Sequence, residues 1–205
     1  MQTHLEPDPA RALRGHLVNV TRRLLALHGL GGLTTREIAR AAEVSDGVLY
    51  NHFADKDALI LEALGLELAD LGSQFHKAMP VPGTATVEAN LVAIARACTA
   101  YQLGGLPLVG ALLGRDELLP RFLELIHTGD SGPQHVITTI ASYLDAEIQA
   151  GRVAADADST TVSIMLFGAC HAQVLGTHFG QLGDATDGPD LRPTVAILMR
   201  SLQPR

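Results

Sequence analysis

Between Arg36 and Lys56 the chain gathers polar side chains of the kind that hold a phosphate backbone and read base edges. Tyr50 and His52 can each donate a hydrogen bond to a phosphate oxygen, and Asn51 carries the paired donor and acceptor that match an adenine edge. Asp46, Gly47 and Val48 share their short segment and sit where a duplex can be met as well. No comparable grouping supports catalysis. The sequence contains no Gly-x-Ser-x-Gly elbow, phosphate-binding loop, dinucleotide fingerprint or His-Glu-x-x-His, and an enzyme is not expected. Metal is not expected either, because the histidines include no i, i+4 pair and Cys98 and Cys170 form no Cys-x-x-Cys. No cofactor is implied.

Those side chains need a rigid support, and local signals predict one. Thr34 stands three residues before Glu37, the pattern of a capping box, and Ile38, Ala41 and Ala42 give the helix it opens an apolar face. Glu43-Val44 leaves room for a short turn before Ser45, an N-cap residue whose replacement by alanine should cost ~1 kcal/mol. Val48, Leu49 and Phe53 form the apolar side of a second short helix. Asp55 caps a third, with Leu59, Ile60, Ala63 and Leu64 as its buried stripe. Two short helices about a tight turn make a helix-turn-helix, whose second helix is sized for a major groove. Ahead of it, apolar residues at helical spacing from Ala10 or Arg11 to His28 predict a first helix, ended by Gly29, Gly31 and Gly32. Residues 1–9 read as a flexible arm. Arg11, Arg14, Arg22 and Arg23 read mostly as a solvated face, with one or two near enough to reach phosphate.

The run from Thr34 to Leu64, and above all Val44-Ser45 followed by Gly47-x-Leu49-Tyr50-x-His52-Phe53-x-x-Lys56-x-x-Leu59, resembles the DNA-binding domain of the TetR family of transcriptional repressors. It departs from that pattern at Glu43, where glycine is usual, and at Val48, where threonine is usual. The resemblance implies an all-α protein: an N-terminal three-helix helix-turn-helix domain over 1–56, and a C-terminal helical domain for ligand binding and dimerisation over 57–205. It also implies that Arg36, Ser45, Tyr50, His52 and Lys56 meet the DNA backbone, and that the middle helices hold a small-molecule effector. The function it implies is a ligand-responsive repressor that binds a palindromic operator as a homodimer and is released by the effector. An all-α small-molecule binding protein without DNA function is the alternative.

The rest of the chain is read from periodicity. The helix after Asp55 should run to about Leu71 and give way to a loop over 72–83. A helix from Thr86 or Val87 should stop at Leu103, before Gly104-Gly105 and Pro107, with a short helix over 108–113 and another from Glu117 to His127. Helices over 134–150, from Asp158 or Ser159 to Phe179, and from Leu191 or Arg192 to Leu202 complete the set, with a loop over 180–189. Candidate effector contacts are Cys98, Tyr101, Phe122, His127, His135, Phe167 and His171. A flat stripe of Gly168, Ala172 and Gly176 flanked by Ile164, Leu175 and Phe179, with Val195, Leu198, Met199 and Leu202, reads as a four-helix dimer interface.

Bulk properties agree with a helical protein of this kind. The chain is 47% apolar without tryptophan, so its core must be built from Leu, Val, Ile and Ala. Its net charge of −7 argues against a polyanionic partner, but the charge is unevenly spread. Residues 11–56 carry seven Lys or Arg against four Asp or Glu, a local excess of +3. Phosphate attraction acts over ~8–10 Å, so this local sign governs the encounter. No apolar run is expected to reach the roughly 18–20 residues that span a bilayer, no secretory signal is expected, and the two unpaired cysteines suit a reducing cytoplasm.

Overall fold

The structure, a computed structural model, describes residues 8–128, 132–179 and 190–204. Among these residues it is all helix: α1 (Pro9–His28), α2 (Thr35–Ala41), α3 (Asp46–His52), α4 (Lys56–Ala78), α5 (Val87–Leu112), α6 (Leu118–Thr128), α7 (Pro133–Gln149), α8 (Ser159–His178) and α9 (Arg192–Leu202). Two compact units result. One comprises 1–68 with 108–128, and the other 69–107 with 129–205. The expected arm up to residue 7 and the expected loop over 180–189 lie outside the described residues.

Local signals place the ends of the first helices. Asp8 caps α1 through a hydrogen bond from Ala10 N, and Gly29, at φ 66°, closes it. Thr34 and Glu37 form the capping box reciprocally: Glu37 N donates to Thr34 Oγ1 at 3.2 Å, and Thr34 N donates to Glu37 Oε2 at 2.8 Å. The hydroxyl of Thr34, then its amide, hold the Glu37 carboxyl below the usual carboxylate range. Asp55 Oδ1 accepts from Ala58 N at the start of α4. In the first unit Leu17, Val18, Ile38, Leu49, Phe53 and Ile60 are buried together as its core. The buried alanine of α2 is Ala39; Ala41, expected on the apolar face, is exposed.

Two arginines of α1 fasten this unit from within. Arg14 lies over the Phe53 ring at 4.1 Å, donates to the carbonyl of His52 and pairs with Glu62 of α4. Arg22 pairs with Glu67 at 2.7 Å. Their role is therefore internal, where a solvated face was expected.

Three features differ from the periodic reading. First, α4 continues to Ala78, because Gly72 and Phe75 are buried and Phe75 meets Tyr101 edge to face at 6.3 Å. Second, α5 runs unbroken through Gly104, Gly105 and Pro107. A Cβ at Gly104 would lie 2.5 Å from Leu71 Cδ2, so this glycine serves a close approach of two helices rather than a stop. Pro107 removes one hydrogen bond to Leu103, which is half exposed and open to solvent. Third, the unbroken α5, 26 residues long with a mean hydropathy of 1.2 over its best window, is long and apolar enough to cross a membrane by length and composition. No such run was expected, since the helix was read as ending at Leu103. Leu91, Ile94, Ala95, Cys98 and Gln102 of α5 are nonetheless buried inside the protein.

Candidate nucleic-acid interface

The orientation of α3 is set by its apolar side. Leu49 and Phe53 point into the core at 3% and 5% exposure, which turns the opposite side outward. Tyr50 is 59% exposed, Ser45, Asp46, Gly47 and Asn51 are exposed, and Val48 and His52 are half-buried at the edges. Arg36 of α2 joins this surface, its Nε 3.9 Å from Asp46 Oδ2. Lys56 Nζ donates to the carbonyl of Leu33 at 3.0 Å, which holds the ammonium beside the start of α2. The structure thus brings all nine expected residues into one unit and leaves the polar tips of Tyr50, Asn51 and Asp46 facing solvent. Such a surface can offer neutral donors, two cations and one carboxylate to a polyanion with base edges.

Two local details sharpen it. Glu43, where the turn calls for glycine, does adopt the left-handed conformation at φ 57°. Ser45 occupies the N-cap position of α3, but its side chain makes no capping hydrogen bond. Its hydroxyl is left free for another partner, and the stability cost expected for Ser45→Ala falls accordingly.

The seven expected effector contacts are divided between the two units. Phe122, buried, and His127, exposed, belong to the first unit; Cys98, Tyr101, His135, Phe167 and His171 belong to the second. Of the latter, Cys98, Phe167 and His171 converge on Gln102, a residue that no motif signalled. Its Nε2 donates to Cys98 Sγ at 3.2 Å and to the carbonyl of Phe167 at 3.1 Å, while its Oε1 lies 2.8 Å from His171 Nδ1. Oε1 can only accept, so Nδ1 of His171 is the donor of this bond. His171 also stacks on Phe167 with ring centroids 6.5 Å apart. The Cys170 thiol beside it, then burial, push the Cys98 thiol well above the ordinary range, which keeps it protonated. Burial pushes the Tyr101 hydroxyl up to about 12. A separate groove of about 460 Å³ in the first unit is lined by Ala58, Leu61 and Glu62 of α4 and Arg121, Glu124 and Leu125 of α6, none of them an expected effector contact.

The expected dimer residues also divide. Ile164 and Phe179 are 52% and 68% exposed, Gly168 and Ala172 lie open between them, and Leu175 and Met199 are half-buried. Val195, Leu198, Leu202 and Gly176 are instead buried inside the subunit. That is a correction: the apolar stripe of α9 covers its own protomer, and the large apolar side chain α9 leaves outside is Ile197. Among the described residues no three His, Cys, Asp or Glu side chains cluster as metal ligands.

Residues 17–63 match the family model of bacterial regulatory proteins of the tetR family. The chain is 36% identical over 63 residues to the transcriptional regulator AcrR of Shigella flexneri, covering 31% of this chain and 29% of that protein. It is 36% identical over 78 residues to the transcriptional repressor KstR2 of Rhodococcus jostii, covering 37% of this chain and 38% of that protein. The matched region thus spans about a third of the length of these curated relatives. Over the whole length, a crystal structure from Mesorhizobium loti described as a TetR-family regulator superimposes with a TM-score of 0.80 at 16% identity, covering 96% of this chain and all of that one. At that identity the likeness speaks for the fold.

Proposed function

We infer, from an N-terminal domain that belongs to the tetR family of bacterial regulatory proteins, that this chain is a DNA-binding transcriptional regulator acting in the cytoplasm. The observation that carries the reading is the outward side of α3, where Tyr50, Asn51 and Asp46 face solvent while Leu49 and Phe53 anchor the helix. Arg36, Ser45, Gly47, Val48, His52 and Lys56 complete the DNA-facing set. In this reading the functional division falls near residue 56, with effector binding and dimerisation assigned to 57–205.

One recognition helix reads only a few base pairs, so a two-fold dimer on a palindromic operator supplies the missing specificity. The exposed side of α8, with Ile164, Met165, Gly168 and Ala172 and with Phe179 just past its end, is the surface that suits a second copy. A charge placed there, Ala172→Arg, should yield a folded monomer with poor operator affinity; an intact dimer by sedimentation would move the interface elsewhere. The regulator acts as a repressor, and a small molecule that favours the non-binding state releases it. The residues about Gln102 are the effector contacts this reading favours. Linkage then requires operator DNA to weaken effector binding by the factor with which the effector weakens operator binding.

The direct test is a mobility shift of the full chain on the DNA upstream of its own coding region. A saturable shift supports the reading. No shift on any duplex, alongside tight binding of a small molecule, supports an all-α binding protein without DNA function. Lys56→Ala should weaken binding to all sequences and reduce the salt slope by about one per protomer. An unchanged slope would mean that Lys56 touches no phosphate.

A further inference from the structure

We propose that Asp46, Gly47 and Val48 determine which base pairs α3 reads: a C·G pair met by the Asp46 carboxylate, next to a T·A pair met by the Val48 methyl groups. This rests on the DNA-binding reading above and names the sequence chemistry of the same surface.

Asp46 is the side chain whose presence there most needs an explanation. A carboxylate on a surface that approaches a polyanion repels it, and the side chain of Asp46 is 55% exposed. It lowers affinity unless it meets a donor; the amino donors in a major groove are cytosine N4 and adenine N6, and cytosine suits a carboxylate better because adenine N7 sets an acceptor beside its amino group. Arg36, its own side chain 82% exposed, stands 3.9 Å away. An exposed pair of this kind adds little to folding. What Arg36 supplies is a counter-charge that offsets the repulsion and limits the directions in which the carboxylate points.

Gly47 supports the same conclusion from a different side. Its backbone is not in the left-handed region, and a Cβ built on it meets nothing within 4 Å. Neither conformation nor packing inside the chain therefore requires glycine, and glycine within a helix lowers stability. The missing side chain matters once something outside the chain comes close, as a base-pair edge would. Val48 adds an apolar, half-buried side chain beside these two. It cannot hydrogen-bond a phosphate, and its methyl groups fit against the thymine C5-methyl. Leu49, locked in the core, fixes the rotation of α3, which leaves Asp46 and Gly47 exposed and Val48 half-buried at the edge of that surface.

The experiment is selection from a random duplex library by the full wild-type chain and by Asp46→Asn, Gly47→Ala and Val48→Ala, with a thermal melt for each. The wild type should enrich half-sites with neighbouring C·G and T·A pairs. Asp46→Asn should move the preference at the first position from cytosine toward adenine by on the order of ten-fold, since a carboxamide both donates and accepts. Val48→Ala should flatten the thymine preference alone. Gly47→Ala should melt no lower than wild type yet bind every selected sequence more weakly. If Asp46→Asn and wild type enrich the same base, or Val48→Ala keeps the thymine preference, the corresponding assignment is overturned. An undiminished affinity in Gly47→Ala removes the close approach. A wild type that enriches no sequence at all sinks the DNA-binding reading and this one together, whereas a motif indifferent to all three substitutions sinks only this one.

Discussion

Tyr50 and Asn51 on α3 and Glu147 and Tyr143 of α7, with Arg152 just beyond it, are comparably polar groups in opposite situations. On α3, the side chains of Tyr50 and Asn51 have no hydrogen-bond partner among the described residues and stand in solvent. At α7 the carboxylate of Glu147 is fully buried and surrounded. Tyr143 Oη donates to its Oε1 at 2.7 Å and Gly83 N does so at 3.2 Å, while Arg152 Nε lies 3.0 Å from Oε2. That last contact is an ion pair without the alignment of a hydrogen bond, so Oε2 has no true donor. Burial, and then the hydrogen bond to Glu147, push the Tyr143 hydroxyl up, so it stays a donor. Arg152 Nη2 continues to the carbonyl of Ala85 at 2.9 Å, and Asn90 Nδ2 holds that of Thr84 at 2.7 Å. The difference teaches how to sort polar residues: those that finish their bonds inside the chain fasten it, and those left open await a partner.

The sharpest way to break that distinction is at Arg152. Arg152→Met leaves Glu147 as a buried charge without its cation and frees the turn that Ala85 closes at φ 44°. Breaking a buried pair from one side costs ~3–5 kcal/mol. Urea unfolding of the variant should show a loss of that order, while the folded fraction binds operator as wild type does. A loss under about 1 kcal/mol would mean the cluster is not a fastener.

A smaller effect separates two helix starts of the first unit. Thr34 completes its capping box, and Ser45 makes no capping bond. Thr34→Ala should therefore cost ~1 kcal/mol by thermal unfolding, and Ser45→Ala a few tenths at most, roughly. Operator affinity should reverse the order, because the Ser45 hydroxyl is free to meet phosphate. Equal stability losses would show that the Ser45 cap forms in solution after all.

The same contrast explains what could be read in advance. Starts and stops were legible wherever one residue and its near neighbours decide them: the Thr34–Glu37 box, Asp55, Asp158, and the left-handed Gly29. The outward set on α3 was legible for the same reason, since Leu49 and Phe53 declare the inward side. Gly104 was misread as a stop because its meaning lies in Leu71, thirty-three positions away. The α9 stripe gave the right period and the wrong neighbour: Val195, Leu198 and Leu202 are apolar whether they cover their own protomer or another. Gln102 and Glu147 carried no signal at all, because their partners His171, Phe167 and Gly83 come from distant segments. Local chemistry announces itself in sequence, and pairings across the fold do not.

The least costly test concerns the one place where local chemistry and backbone disagree. Glu43 holds φ 57° in the turn between α2 and α3, a conformation that strains a side chain with a Cβ by ~1 kcal/mol or somewhat more. Glu43→Gly relieves the strain but gives the unfolded chain more freedom, which takes back ~0.5–1 kcal/mol. The expected net gain is therefore about 0.5 kcal/mol, a rise of a few degrees at most in Tm. Val44 N donates to Ala39 O at 3.0 Å and Glu43 N to Arg40 O at 3.2 Å, so the turn is already closed by its backbone. The angle it sets for α3 should survive the substitution, and operator affinity should change less than two-fold, roughly. A clear loss of affinity in a stabilised Glu43→Gly variant would show instead that the strained residue holds α3 in the orientation DNA requires, and the outward face would then depend on the turn as much as on Leu49 and Phe53.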